Sequence, residues 1–409
     1  MTFSLIPPDA HFAVAAALFA IALFGFWAEK QAWGRVLTGA VWVLLLAILA
    51  SNVGLIPKSA DFYNLVFSYF VPVLIPLFLL RADVRKIIAE SGRVGVAFLL
   101  AAVGSALGAI IAVSFIDLGA KEAELAGIFT ATYVGGSVNY AALIQATGFD
   151  DASVISAATA VDSLMSAVFL AVIALMPASK WLLERFAQRD HSAIDTAGDL
   201  GINDGRAEQA ARDKNTISAF SLCAAIVFSI SVVALSDGLI AFLQHSFEGS
   251  NFKPLRYIFI TLFSVLPATF APKTMQSLRG GEEIGLILAF VFFAAICAGA
   301  DVFALIGTAP ILLLFVVVLL VIHGLVVFGG AYLINWLLRI LSKKSDSAQL
   351  SLPELIIASN AAILGATTAP ALAMARGWPA LVTPGILVGV AGYIIGTPLG
   401  ILVVSLLSK

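Results

Sequence analysis

Charge is what this chain has little of. Lys, Arg, Asp and Glu make up 12% of its 409 residues, against about 25% in soluble domains. Hydrophobic residues supply 61%, and the mean hydropathy is +1.03. These figures exclude a water-soluble domain and imply a polytopic membrane protein whose main neighbour is lipid. Cysteine is nearly missing. Cys223 and Cys297 both lie in apolar runs and read as small buried hydrophobes. Neither a disulfide framework nor a cysteine-based metal site is supported. No basic patch is interleaved with aromatics, which argues against a nucleic-acid partner. No Lys or Arg precedes Lys30, so His11–Trp27 lacks the positive region of a cleaved leader and reads as a retained span. Lys30 and Arg35 follow it, which favours an outside N-terminus. H-E-x-x-H, G-x-S-x-G and P-loop signatures are absent too, so an enzyme is not expected. No cofactor is implied, apart from H⁺ or Na⁺ as a coupling ion.

What is present is a series of apolar runs. They fall at about 11–28, 35–56, 62–80, 94–116, 124–146, 151–176, 216–236, 257–271, 284–306, 309–338, 354–374 and 380–407. Each approaches the roughly 20 residues that cross a bilayer's hydrocarbon. The fold class expected is all-α, a membrane helix bundle of about 11–13 spans. Residues 178–215 break the pattern with mixed charge and the turn-rich T-A-G-D-L-G-I-N-D-G. They read as a flexible polar linker without a fold of its own. The chain divides into an extra N-terminal span (1–34), a first repeat (35–177), the linker (178–215) and a second repeat (216–409).

The division into repeats rests on two interrupted runs. Thr130–Gln145 carries Gly135-Gly136, Ser137 and Asn139 where a plain membrane helix carries Leu and Val. Glu354-Leu355, like Glu124-Leu125, is followed by a similar break, Gly365-Ala366-Thr367-Thr368-Ala369-Pro370. Weaker matches keep the same order: Pro57-Lys58 with Pro272-Lys273, and Ala82-Asp83-Val84 with Ala300-Asp301-Val302. Broken helices in matching positions of two halves point to a transporter binding site. Charge supports inversion of the halves. The join R-A-D-V-R-K is basic, whereas its counterpart G-A-D-V-F-A has no Lys or Arg. Yet twelve crossings would make the halves parallel. Either Asp237–Phe247 adds a crossing, or one assigned run does not cross.

The candidate binding residues follow from these breaks. Asp162 stands midway along its run. A carboxylate at bilayer centre costs at least ~2.5–3.5 kcal/mol and marks a functional site by default. It is assigned the coupling ion, H⁺ or Na⁺. Thr130, Tyr133, Ser137 and Asn139 offer neutral hydrogen-bonding groups at the first break, and Ser359, Asn360, Thr367 and Thr368 at the second. Opposed half-helices aim partial charges of both signs at one point, which suits an anionic group with a small cation. Capping of frayed ends is the alternative reading for the same groups. Gly135, Gly136, Gly365 and Pro370 are assigned to making the breaks. Asp83 and Asp301 read as helix caps. His323, mid-span, reads as either a packed histidine or a proton relay.

At G-G-S-V-N-Y-A-A, R-A-D-V-R and the closing S-N-A-A-I-L-G-A-T-T-A-P-A-L-A-M-A-R-G-W-P, the chain resembles the integral membrane family called domain of unknown function 819 (DUF819). That name implies no substrate. More remotely, the architecture resembles the sodium/proton antiporter and bile-acid/sodium symporter superfamily. That likeness implies inverted repeats, two broken crossing helices and an ion-binding aspartate at Asp162. Val161 departs from the acidic or Asn residue the antiporters place there, which leaves coupling through a single carboxylate.

The function expected is secondary active transport of a small solute, an organic anion by preference, across the inner membrane. A homodimer is one form it could take. A channel or holin-like export factor is the alternative. An intramembrane aspartyl protease using Asp162 and Asp301 ranks below both.

Overall fold

The computed structural model describes residues 4–31, 39–192, 217–247, 252, 255–300, 302–341 and 348–408. Its helices are α1 (His11–Lys30), α2 (Gly39–Asn52), α3 (Asp61–Phe78), α4 (Val84–Val113), α5 (Glu122–Thr147), α6 (Ala152–Leu175) and α7 (Ala219–Ser246). They continue as α8 (Arg256–Phe270), α9 (Gly281–Ala298), α10 (302–341), α11 (Leu352–Leu364), α12 (Thr368–Ala375) and α13 (Val382–Leu407). There is no strand among the described residues, only one isolated bridge between Ala187 and Ser351. The protein is an all-α polytopic bundle.

Several helix starts are written in the sequence. Asp83 accepts from the backbone N–H of Arg85 and Lys86, and Asp151 from those of Ser153 and Val154, so each caps the helix after it. Ser351 and Glu354 form a reciprocal capping box on α11, with Pro353 in its first turn. Helix α3 widens into a π turn at Val66–Phe70 just ahead of Pro72, whose missing N–H leaves the carbonyl ladder one donor short. Outward faces are apolar, as at Phe12, Phe115 and Phe220, which suits lipid. Cys297 is buried as expected, but Cys223 is exposed on α7. In a bilayer an outward apolar side chain meets lipid, so hydrophobicity does not require burial in protein.

Among the described residues, eight helices are long and apolar enough to cross a membrane: α1, α3, α4, α6, α7, α9, α10 and α13. Contacts between helix ends define two faces. On the first, Asn52 bonds the Ala300 carbonyl at 3.0 Å, and Gly299 lies against Ala152 and Lys58. On the second, the Val84 N–H bonds Thr269 at 3.1 Å, Arg81 pairs with Glu282 at 3.5 Å, and Gly39 lies against Glu29. The eight long helices, with the shorter α2 and α8, run from face to face.

The two interrupted segments do not. Lys121 before α5 and Asp150 after it form an ion pair at 2.9 Å. A Cβ built on Gly127 would lie 3.4 Å from Leu143 of the same helix. Sixteen residues of straight helix would separate those positions by about 24 Å. So α5 turns back at Gly135-Gly136 into two arms, and both ends stay on the first face. The second segment does the same from the other side. The α11 and α12 residues Ile357 and Ala369 both touch the point where a Gly385 Cβ would sit. Ser351 before α11 and Ala380 after α12 both bond His191, at 3.0 and 3.2 Å. The expectation of two broken helices that cross the membrane is corrected here: each is a re-entrant hairpin. Their length misled, because 26 residues suffice to cross but equally suffice for two half-depth arms.

The linker reading is corrected in part. Residues 180–192 hold a helical turn, Lys180–Leu183, and then dock on the base of α11. Arg189 meets Glu354 at 3.3 Å, and Arg93 of α4 reaches the same carboxylate at 2.7 Å. Apolar Phe186 is buried alongside, which a flexible segment would not achieve. Residues 193–216, and Asp301, lie outside the described residues.

Candidate functional site

The breaks are made by glycine. Gly136 has φ 72° and ψ −171°, and Gly365 φ 93° and ψ −175°. A side chain at such angles is strained, so glycine lets a helix stop and reverse without a loop. The first hairpin is nearly all buried, and α13 holds it. Gly392, Gly396 and Gly400 recur at four-residue spacing and bring the α13 backbone against both arms. A Cβ at Gly396 would lie 2.8 Å from Asn139 Cγ and 2.9 Å from the Ala131 carbonyl; one at Gly400 would lie 2.6 Å from Leu143 and 2.9 Å from the Gly127 carbonyl. No residue but glycine allows that approach.

Both hairpin tips line one cavity of about 800 Å³. Gly136, Ser137 and Val138 come from the first tip, and Gly365, Ala366, Thr367 and Pro370 from the second. Ser137 and Thr367 are the exposed hydroxyls, one from each tip. Each begins or precedes the return arm, so unsatisfied N–H groups face the same space. Arg81, Lys86, Gln276, Arg279 and Glu282 line the cavity toward the second face, and Phe78, Phe290, Phe293 and Tyr393 supply aromatic wall. Sequence reasoning missed Arg279 and the aromatic wall. The only signal for Arg279 was a cation beside the Gly280-Gly281 pair that starts α9.

The remaining candidate residues lie behind the tips, with different tasks. Asn139 is committed to α13: its Nδ2 donates to the Gly392 carbonyl at 3.0 Å, and Thr397 donates to its Oδ1 at 2.7 Å. Thr130 donates to the Ala126 carbonyl of its own arm at 2.8 Å. Thr368 donates to Asn360 Oδ1 at 2.7 Å, tying α12 to α11 across the second break. Ser359 bonds His323 Nε2 at 2.7 Å. In this conformation those groups hold the hairpins together, while Ser137 and Thr367 face open space.

Asp162 sits ten residues into α6, about 15 Å from its first-face end. The Tyr133 hydroxyl faces it, with Ser166 beside them. Among the described residues, Ser91 Oγ, Tyr133 Oη, Asp162 Oδ1, Arg279 Nη1 and Asn360 Nδ2 are buried without a partner in full hydrogen-bond geometry, although Tyr133 and Asp162 face each other closely enough to interact. Four of these five belong to the hairpins, the cavity wall or the aspartate. Buried polar groups are otherwise nearly always satisfied, and this concentration makes the region the candidate site.

The comparisons agree with a membrane protein and stop there. The family model described as "Protein of unknown function (DUF819)" matches residues 16–409. The chain is also 30% identical, over 387 residues, to the "Uncharacterized membrane protein YjcL" of Bacillus subtilis (strain 168), a match covering 91% of this chain and 90% of the relative. The chain belongs to the DUF819 family.

Proposed function

We propose that this DUF819 membrane protein is a secondary transporter that moves a small organic anion by alternating access, coupled to H⁺ or Na⁺ at Asp162. The observation that carries the reading is the meeting of two re-entrant hairpin tips, entering from opposite faces, in one cavity. In a bilayer, irregular backbone persists only where protein or a watery cavity surrounds it. Here it lies at the cavity wall from two sides.

Ten crossings and two hairpins give five crossings per half once α1, set apart above as an extra span, is counted in the first half. That odd number supports inverted repeats and accounts for the charge asymmetry between equivalent joins. The cavity reaches toward the second face alone, as a carrier's site does and a continuous pore does not. That face holds Arg81, Arg85, Lys86, Lys180, Arg185, Lys273, Arg279 and Arg339, against Lys58, Lys121 and Arg256 on the first, which supports a cytoplasmic second face. Arg81, Lys86 and Arg279, with two half-helix N-termini, favour an anionic group, and the aromatic wall favours an organic body. Asp162, half-buried beside Tyr133, which itself stands two residues before the first break, would feel the tip move when it takes up or loses a cation.

The test starts from purified protein. A thermal-shift panel of mono- and dicarboxylates, with and without Na⁺, identifies a ligand by its raised melting temperature. Proteoliposomes preloaded with that ligand should then show saturable counterflow. Non-saturating flux, with no counterflow, would place the protein among channels.

A further inference from the structure

One buried chain of hydrogen bonds joins the two hairpins. Ser105 of α4 donates to the Tyr133 carbonyl at 2.8 Å. His323 of α10 meets Ser105 through Nδ1 at 2.9 Å and Ser359 of α11 through Nε2 at 2.7 Å. Ser105, His323 and Ser359 have no measurable exposure. The Ser105 bonds fix one direction, and an uncharged ring fixes the other. Ser105 has one proton and gives it to Tyr133, so it must accept from Nδ1–H. An uncharged ring then presents Nε2 as an acceptor, which the Ser359 hydroxyl fills. The chain reads Ser359 O–H to His323, His323 N–H to Ser105, Ser105 O–H to the Tyr133 carbonyl.

Each end lands where a hairpin is least constrained by its own ladder. Tyr133 is two residues before Gly135, in the last turn of the first arm, where carbonyls lose their helical donors. Ser359 precedes Asn360, the residue that holds α12 across the second break. Tyr133 also carries the hydroxyl that faces Asp162. The α6 residue Phe169, two turns beyond Asp162 on the same side, stands edge-on to the His323 ring at 5.5 Å. Small residues make the reach possible: a Cβ on Gly104 would lie 3.1 Å from the His323 carbonyl, so α4 and α10 touch backbone to backbone.

We propose that His323 is a positioning residue that couples the hairpins, so that a cation bound or released at Asp162 on one side resets Ser359, Asn360 and the second tip on the other. This rests on the transporter reading above and extends it. What sets it apart from a histidine packed for stability alone is that its two ring nitrogens lead to different hairpins.

The experiment uses the full chain in lipid nanodiscs, with Cys223→Ser and Cys297→Ala as background and a single reporter, Ser137→Cys or Thr367→Cys. The rate of labelling by a polar maleimide is followed across Na⁺ and pH titrations. In the parent background, both tips should change rate by about fivefold or more, the low end of a typical coupling between sites. In His323→Leu, the Ser137→Cys tip should keep that response and the Thr367→Cys tip should lose it. His323→Gln, which still donates and accepts, should restore it. Where His323→Leu fails to fold, Ser359→Ala breaks only the Nε2 end and should give the same split. A Thr367→Cys response that survives in these variants overturns the coupling role and leaves the transporter reading standing. No response at either tip in the parent background overturns both. Loss of response at both tips in His323→Leu and Ser359→Ala alike also overturns the role, because it shows general damage.

Discussion

Replacing Asn139 by Ala removes the link between the first hairpin and α13. The amide spans two partners, the Gly392 carbonyl at 3.0 Å and the Thr397 hydroxyl at 2.7 Å, and Asn139 is 2% exposed. Neither partner is left wholly stranded. The Gly392 carbonyl lies within the α13 ladder, and Thr397 can turn to the carbonyl one turn back, at Tyr393. That places the cost near the low end for buried groups. Interhelical side-chain bonds in membrane bundles average about 0.6 kcal/mol and reach about 1.7. Loss of the buried side chain adds about 1 kcal/mol, for a total of about 1–3 kcal/mol. Equilibrium unfolding in mixed micelles should show this loss without any solute present. A double-mutant cycle with Thr397→Val should give a coupling of about 0.6–1.7 kcal/mol. A binding role makes the opposite forecast: unchanged stability without solute and a missing solute-induced shift. Full stability in Asn139→Ala, additive with Thr397→Val, would refute the assignment of Asn139 to the scaffold.

Three further outcomes follow from the same geometry. Gly136→Ala and Gly365→Ala should each cost roughly 1–3 kcal/mol, since both angles are open to glycine alone; Gly238→Ala, in the middle of α7 with open space around it, should instead gain about 0.5–1 kcal/mol in the same melts. Gly396→Ala drives a methyl into Asn139 and the Ala131 carbonyl, so melting should fall by an amount equivalent to about 1–3 kcal/mol. Docking of residues 186–192 should depend on pH: burial pushes the His191 imidazole below its ordinary value, opposed by Glu354 and reinforced by Arg189 and Arg93. The neutral ring is therefore the docked form, and its contribution is present above the ordinary histidine value and fades as pH falls below it. Limited proteolysis near Arg189 should accelerate from pH 8 to pH 5.5 in the parent and not in His191→Gln.

Much of the candidate site was legible because a polar or glycine residue in a bilayer needs a reason. Gly135-Gly136, Gly365 and Asp162 announced themselves in that way. The reversal of the hairpins did not, since periodicity and length are the same for one long helix and for two short arms. The clash between span count and charge asymmetry was the available clue. Which polar groups face the cavity was not legible either. Ser137 and Asn139 are two residues apart, and the choice between them depends on a glycine stripe in α13, more than 250 positions away. The partners of His323, at Ser105 and Ser359, come from two other helices for the same reason.

In the proposed transport cycle, Asp162 couples solute movement to a cation. The measurement is flux in proteoliposomes holding the parent or Asp162→Asn, with an imposed Na⁺ or pH gradient and the ligand identified by thermal shift. The parent should accumulate ligand against its gradient, and Asp162→Asn, folded by its own melt, should not. Equal gradient-driven accumulation by both proteins would contradict the account.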